Sequence, residues 1–267
     1  MKIRFLLIVL LLIGCSSIPK KDYRVNNYDQ ASLDFIKLAD RKRQQESYSD
    51  AIELYLKAEV LALKGNKQKT IGISKLKRAL IDLVQNNLQS AQTLISEVEE
   101  SNQIEGLGLS QPINFVKSKV LIAAGDKDGA FILLTNLENQ HQSNIEKHAY
   151  YKFVRWSYDY QQIEPSSVQK IIDSLTIRYQ EGNLNNIEIL SFVYMEHARW
   201  AMNHSKLEQG EKIIQQSIDH FSLLELSPKI AKSFKFASVF YSRHNKLVKS
   251  EYYLTAYQKL MAVNLIN

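Results

Sequence analysis

Residues 33–63 read LDFIKLADRKRQQESYSDAIELYLKAEVLAL, and their apolar positions fall into two runs at helical spacing: Leu33, Ile36, Leu38 and Ala39, then Ala51, Ile52, Leu54, Tyr55 and Ala58. A polar stretch separates the runs, and Ser49 or Asp50 is placed to cap the second helix. The segment predicts an antiparallel helical hairpin whose helices touch at Ala39, Ala51, Tyr55 and Ala58. Small residues at such a crossing let two backbones approach, and a large apolar residue one turn later fills the groove beside them.

The same pattern recurs along the chain. Small residues pair at Ala79 and Ala91, Ser118 and Ala130, Ala198 and Gly210, and Ser238 and Ser250, always twelve apart, as are Ala39 and Ala51. Trp156 with Val168 keeps the spacing but breaks the size rule. Four residues after each second member stands a large apolar residue: Tyr55, Ile95, Leu134, Ile172, Ile214 and Leu254. Successive second members are 38 to 42 residues apart. A recurrence near 40 residues predicts an all-α solenoid of about six stacked helical hairpins, each burying its apolar face against its neighbours. Turn residues agree, with Gly125-Asp126 inside the third copy and Gly65-Asn66, Gly106-Leu107-Gly108 and Gly182-Asn183 between copies.

These positions resemble the tetratricopeptide repeat, which carries small residues where its two helices cross and an aromatic or apolar residue one turn later. The aromatic near the start of that family's first helix survives as Phe35, Tyr194 and Phe234 but is Lys75, Asn114 and Lys152 elsewhere. No copy has the closing Pro, and the period exceeds the family's 34 residues.

Ahead of the repeats, Lys2 and Arg4 precede nine apolar residues, 5–13, as in a secretory leader. A spanning helix needs roughly 20. The leader ends in Leu12-Ile13-Gly14-Cys15, which resembles the lipobox of bacterial lipoproteins. That resemblance implies a signal peptide over 1–14 and a new N-terminus at Cys15, carrying palmitate-type acyl chains. Two or three such chains exceed what stable anchoring requires. Residues 15–30 are polar, contain Pro19 and show no helical period, so the lipidated Cys15 and a flexible tether are expected there, followed by the repeat domain over 31–267. By resemblance to enterobacterial-type sorting, Ser16 after the cysteine implies the outer membrane, facing the periplasm.

Composition limits the chemistry. Cys15 is the sole cysteine, so no intramolecular disulfide can form. No Gly-x-Ser-x-Gly, His-Glu-x-x-His or phosphate-cradling glycine motif is present. His141 and His148, like His197 and His204, are seven apart, about 10.5 Å along a shared helix, too far to bind one zinc without other ligands. Asp126-Lys127-Asp128-Gly129 resembles the start of a calcium loop, but Leu137 stands where a bidentate Glu is needed, and Asp126 reads better as a helix cap. No catalytic residue, metal or cofactor is therefore assigned, and the chain is expected not to be an enzyme.

Net charge is +6, with both ends of the body basic: residues 15–80 carry 14 basic and 8 acidic side chains, and 228–267 carry 7 and 1. Nucleic acid is not expected as a partner of an exported protein, so basic ends suit anionic lipid or an acidic protein surface. Resemblance to tetratricopeptide arrays implies a partner groove lined by first helices. Its positions map onto Arg43, Lys119, Tyr150, Phe153, Tyr160, Met195, Arg199, Lys235 and Arg243, an aromatic centre with basic flanks suited to an extended acidic peptide. The aromatic run 150–160 also reads as an inner helix packed on several sides. The expectation is a membrane-anchored scaffold or adaptor for other cell-envelope proteins. An envelope hydrolase, a peptidoglycan-synthesis regulator and a solute-binding partner of a transporter are the alternatives.

Overall fold

The computed structural model describes residues 27–161 and 164–264, so the leader, the lipobox and Cys15 lie outside the described residues. The protein is all-α. Twelve helices follow one another among the described residues: α1 Tyr28–Gln44, α2 Tyr48–Lys64, α3 Gln68–Val84, α4 Leu88–Glu105, α5 Ser110–Ala123 and α6 Lys127–Gln140, then α7 Ile145–Tyr158, α8 Pro165–Gln180, α9 Ile187–His204, α10 Leu207–Leu223, α11 Ser227–Arg243 and α12 Leu247–Asn264.

Packing is sequential. Every pair of consecutive helices except α7 and α8 makes close backbone contact, and α8 packs on α9 instead. Beyond these, α1 touches α3, α3 touches α5, α7 touches α9 and α9 touches α11. Burial forms three clusters in chain order, one centred on α1 and α2, one on α3 to α5 and one running from α7 to α11.

The paired small residues sit at these contacts. Ala39, Ala51, Ala79, Ala91, Ser118, Ala130 and Ala198 are all fully buried. The Ser250 hydroxyl donates to the Ser238 carbonyl at 2.9 Å, so a side chain as short as serine reaches the backbone of the facing helix. A Cβ at Gly210 would fall 2.3 Å from the Phe240 ring, so this glycine is required by the neighbouring helix. The groove-filling residues Tyr55, Ile95, Leu134, Ile172 and Ile214 are buried, whereas Leu254 is 43% exposed because no further described helix covers α12. Trp156, buried where other copies carry Ala or Ser, fills the space that would let α7 and α8 close.

The connections repeat a single backbone device. Glu46, Asn66, Asn86, Gly125, Gly182, Glu225 and Asn245 each adopt the left-handed conformation after a helix. The amide that follows each bonds back to a carbonyl five residues earlier at 2.8–3.0 Å, as Ser47 does to Lys42 and Leu226 to Phe221. This is the Schellman motif, which satisfies carbonyls the helix end leaves open. Two local expectations are corrected. The first turn of α1 begins at Tyr28, inside the expected tether, because the Asn27 side chain accepts from the Gln30 amide at 3.0 Å and starts the helix early. The second helix begins at Tyr48, so Ser49 and Asp50 lie within its first turn; Ser47 is the cap residue, and its hydroxyl donates to Asp50 instead of capping the backbone.

Candidate binding cavity

The last turn of α1 carries Arg41, Lys42 and Arg43, where cations favour the negative end of the helix dipole. The first turn of α9 carries Glu188, behind an Asn186 side chain that accepts from the Glu188 amide at 2.8 Å; an acid favours that positive end. These two ends meet. Arg43 reaches Glu188 at 3.5 Å across 145 residues of chain, and Gln44 donates to the same carboxylate. Beside them Lys232 of α11 pairs with Glu46 in the turn after α1. The contact runs through side chains and brings the first helix back against the ninth and eleventh.

Behind it lies a cavity of about 740 Å³, with walls from α1, the start of α2, α3, α7, α9 and α11. One wall is aromatic: Tyr150 meets Phe192 edge-on at 5.2 Å and Phe115 at 5.5 Å. Leu80, Val84, Ile189 and Met195 add apolar surface. The charged lining is Arg43, Lys147, Lys229 and Lys232 against Glu46, Glu146 and Glu188. Glu146 is buried and takes hydrogen bonds from the Asn185 and Asn186 amides and the Asn185 side chain at 2.9–3.1 Å, which fixes the turn into α9. Burial acts to lower Arg43, but Tyr55, Glu188 and Asp40 outweigh it and hold its guanidinium above the ordinary value. Burial pushes Lys229 below its ordinary value, opposed by Glu188, and pushes the Tyr150 hydroxyl up.

Of the nine residues expected to form a groove, Arg43, Tyr150 and Met195 line this cavity. Lys119 stands just behind its wall, donating to the Tyr158 hydroxyl at 2.9 Å with its ammonium 6.0 Å from the Phe192 ring. Arg199, one turn beyond Met195, is exposed and pairs at 3.0 Å with Glu196, a buried acid whose pKa burial raises. Tyr160 donates to the same Glu196 at 3.4 Å, and burial lifts its hydroxyl to about 12. Arg243 is exposed and donates to the Asn203 carbonyl at 3.2 Å, while exposed Lys235 lies 5.7 Å from the Tyr257 ring. Phe153 is fully buried against Trp156, so it forms core and offers no contact surface. Its helix turns that side toward α8 and α9, and the aromatic run divides between core (Phe153, Trp156) and cavity wall (Tyr150, Tyr151).

Sequence reasoning missed Glu46, Glu188, Lys229, Lys232 and Phe192. One signal was available, because Lys229 stands in the first turn of α11, where the helix dipole disfavours a cation. The histidine pairs also resolve. His141 ends α6 and His148 lies on α7, so they share no helix, whereas His197 and His204 flank Trp200 on α9 with ring centroids 5.8 Å on each side. The Asp126 carboxylate accepts from the Gly129 amide at 2.9 Å, the capping role expected of it. No group of three or more His, Cys, Asp and Glu side chains able to hold a metal occurs among the described residues. Among the same residues no helix is long and apolar enough to cross a membrane.

Compared with known protein families, with curated proteins and with solved structures, the chain matches none.

Proposed function

We propose that this protein is a lipid-anchored, non-enzymatic adaptor whose body is a tetratricopeptide-like solenoid of about six hairpins, docking other envelope proteins on the surface formed by its first helices. The observation that carries the reading is the burial of the paired small residues at helix contacts, together with the packing of α1 on α3, α3 on α5, α7 on α9 and α9 on α11. Such packing supports a surface shared by equivalent positions of successive units, and Arg199 and Arg243 are exposed. The leader and Leu12-Ile13-Gly14-Cys15 support the anchor and, with Ser16, an outer-membrane address facing the periplasm.

Photo-crosslinked pull-down from intact cells tests the adaptor. Reversing Arg199 and Arg243 to Glu is expected to lower partner recovery several-fold at low salt, while reversing Lys64, which ends α2, and Lys67, which precedes α3, leaves it near wild type. Equal recovery from both double variants would sink the docking surface. The anchor is tested separately by Cys15→Ser, which should leave the body folded but remove lipid mass from the protein. A wild-type chain carrying no lipid on Cys15 would overturn that part alone.

The cavity favours a second reading, a solute-binding partner of a transporter. An extended peptide lying across α1, α7 and α9 would have to part Arg43 and Gln44 from Glu188, whereas a small solute would not.

A further inference from the structure

The cavity's charges do not cancel locally. Glu146 is occupied by the amides before α9, Glu188 by Arg43 and Gln44, and Glu46 by Lys232. Lys147 and Lys229 are left with no carboxylate within pairing distance among the described residues. Lys147 is exposed at the rim, where water serves it. Lys229 is half-buried, and its ammonium lies 5.6 Å from the face of Phe221. Glu188 and Glu46 act on Lys229 from beyond pairing distance, and a cation withdrawn from water without a direct ion pair is stabilised strongly by an anion that reaches it.

The same lining includes the apolar side chains of Tyr150, Phe192 and Met195, and the volume, about 740 Å³, falls within the range of small-molecule sites. We propose that the cavity binds a small amphipathic monocarboxylate, an aromatic or branched acid whose carboxylate pairs with Lys229 while its apolar body lies on Tyr150, Phe192 and Met195.

Three features select this class. Four cationic side chains face three carboxylates, a surplus of one, so a singly charged guest neutralises the lining whereas a di- or triphosphate would meet repulsion from Glu46 and Glu188. An apolar surface in the same lining as the charge suits a body as well as a head. The side-chain contact between α1 and α9 bounds the site, which suits a compact guest over a long chain. The inference depends on neither the lipid anchor nor the adaptor role.

The test uses the full-length chain purified in a nonionic detergent, titrated calorimetrically against micelle blanks. The probes are 2-naphthoate, the isosteric 2-naphthamide and 2-naphthylmethylammonium. Naphthoate is expected to bind at least about tenfold more tightly than the amide, since hydrogen bonds to charged groups contribute that much, and the ammonium should bind least. Lys229→Met should reduce the acid to the level of the amide, and Lys229→Arg should retain the preference. Phe192→Ala should weaken acid and amide alike. Lys249→Met, remote and paired with Glu211, should change nothing. Equal binding of acid and amide by the wild type, no binding of the acid at millimolar concentration, or an unchanged preference in a folded Lys229→Met variant each overturns the proposal. If Lys229→Met fails to fold by circular dichroism, the ratio of acid to amide in the wild type decides.

Discussion

The hairpin of α1 and α2 and the pair α7 and α8 occupy equivalent places in the sequence pattern, yet they pack differently. In the first, Ala39 and Ala51 let the backbones close, and Tyr55 fills the adjacent groove while donating to Asp40 at 2.6 Å. In the second, Trp156 and Val168 take the same two positions; α7 and α8 stand apart, and α9 serves as the partner of both. Twelve-residue spacing is therefore enough to specify two helices, but the size of the side chain at the crossing decides whether they touch. The price of the wider separation is an interior built from aromatic rings, with Trp156 meeting Phe153 at 5.4 Å, Tyr160 at 5.0 Å and Trp200 at 6.0 Å.

Acid should separate the two regions most. All six histidines lie at or beyond residue 141. His197 is buried on α9 and held to about 4 by burial, with Asp173 opposing; His220 is also held to about 4 by burial, aided by Lys229, and its Nε2 meets the Ser191 hydroxyl at 3.0 Å. Both pKa values lie below the ordinary value of about 6.5, so the unfolded chain binds more protons than the folded one. Stability is thus complete above pH 6.5 and falls as pH drops toward 4, by on the order of 3 kcal/mol for each histidine. Buried Glu196, raised by burial, and Glu59 on α2, raised the same way, act in the opposite sense and offset part of this loss. Amide exchange at pH 7 and pH 4.5 should show protection lost first across α7 to α11, with α1 to α4 persisting. Uniform loss along the chain would remove the distinction.

Substitution at the two crossings comes next. Trp156→Ala should cost about 3–5 kcal/mol, because it empties a fully buried site that α8 and α9 cannot refill by collapse. Its indole Nε1 has no acceptor in the structure, so volume is what the residue contributes, and Trp156→Phe should cost less. At the close crossing the danger is the reverse: Ala51→Leu should cost roughly 1–3 kcal/mol by forcing α1 and α2 apart, whereas Gln45→Leu, exposed in the following turn, should cost little. Thermal denaturation of the set measures both. Equal costs for Ala51→Leu and Gln45→Leu would show that the crossing does not depend on small residues.

How much of this could be read in advance follows the range of the interaction. The all-α class, the helix contacts at Ala39 and Ala51 or Ser238 and Ser250, and the oddity at Trp156 depend on residues within one hairpin, so periodicity and side-chain size suffice. The contact of Arg43 with Glu188 depends on rotation and rise accumulated over eight helices, which no single hairpin encodes. Arg43, Tyr150 and Met195 were found as repeated positions, whereas Glu188 and Lys229 acquire their setting only when that rotation brings α1 back against α9 and α11. Phe153 was misplaced for a local reason: on a helix whose aromatic side chains Tyr150, Tyr151, Phe153 and Trp156 fall on several sides, spacing does not say which of them meets the core.

The smallest effect sharpens the comparison at the turns. Glycine was the visible turn signal, but at Gly65 the left-handed residue is the neighbouring Asn66, and at two other turns it is glutamate, Glu46 with φ 62° and Glu225 with φ 54°. A side chain with a Cβ is strained there by roughly 1–2 kcal/mol, which glycine avoids, although glycine also gives more freedom to the unfolded chain. Glu225→Gly should therefore stabilise the protein by at most about 1 kcal/mol. Glu46→Gly relieves the same strain but removes the carboxylate that holds Lys232, a partly exposed pair contributing about 0–1 kcal/mol, so its net gain should be smaller. Raising salt should narrow the gap, because screening weakens the Glu46–Lys232 pair and leaves backbone strain untouched. Melting temperatures of both variants at low and high salt measure this. A Glu46→Gly gain equal to that of Glu225→Gly at low salt would mean that the Glu46–Lys232 pair does not hold the end of α1 against α11, and the closing contact would then rest on Glu188 alone.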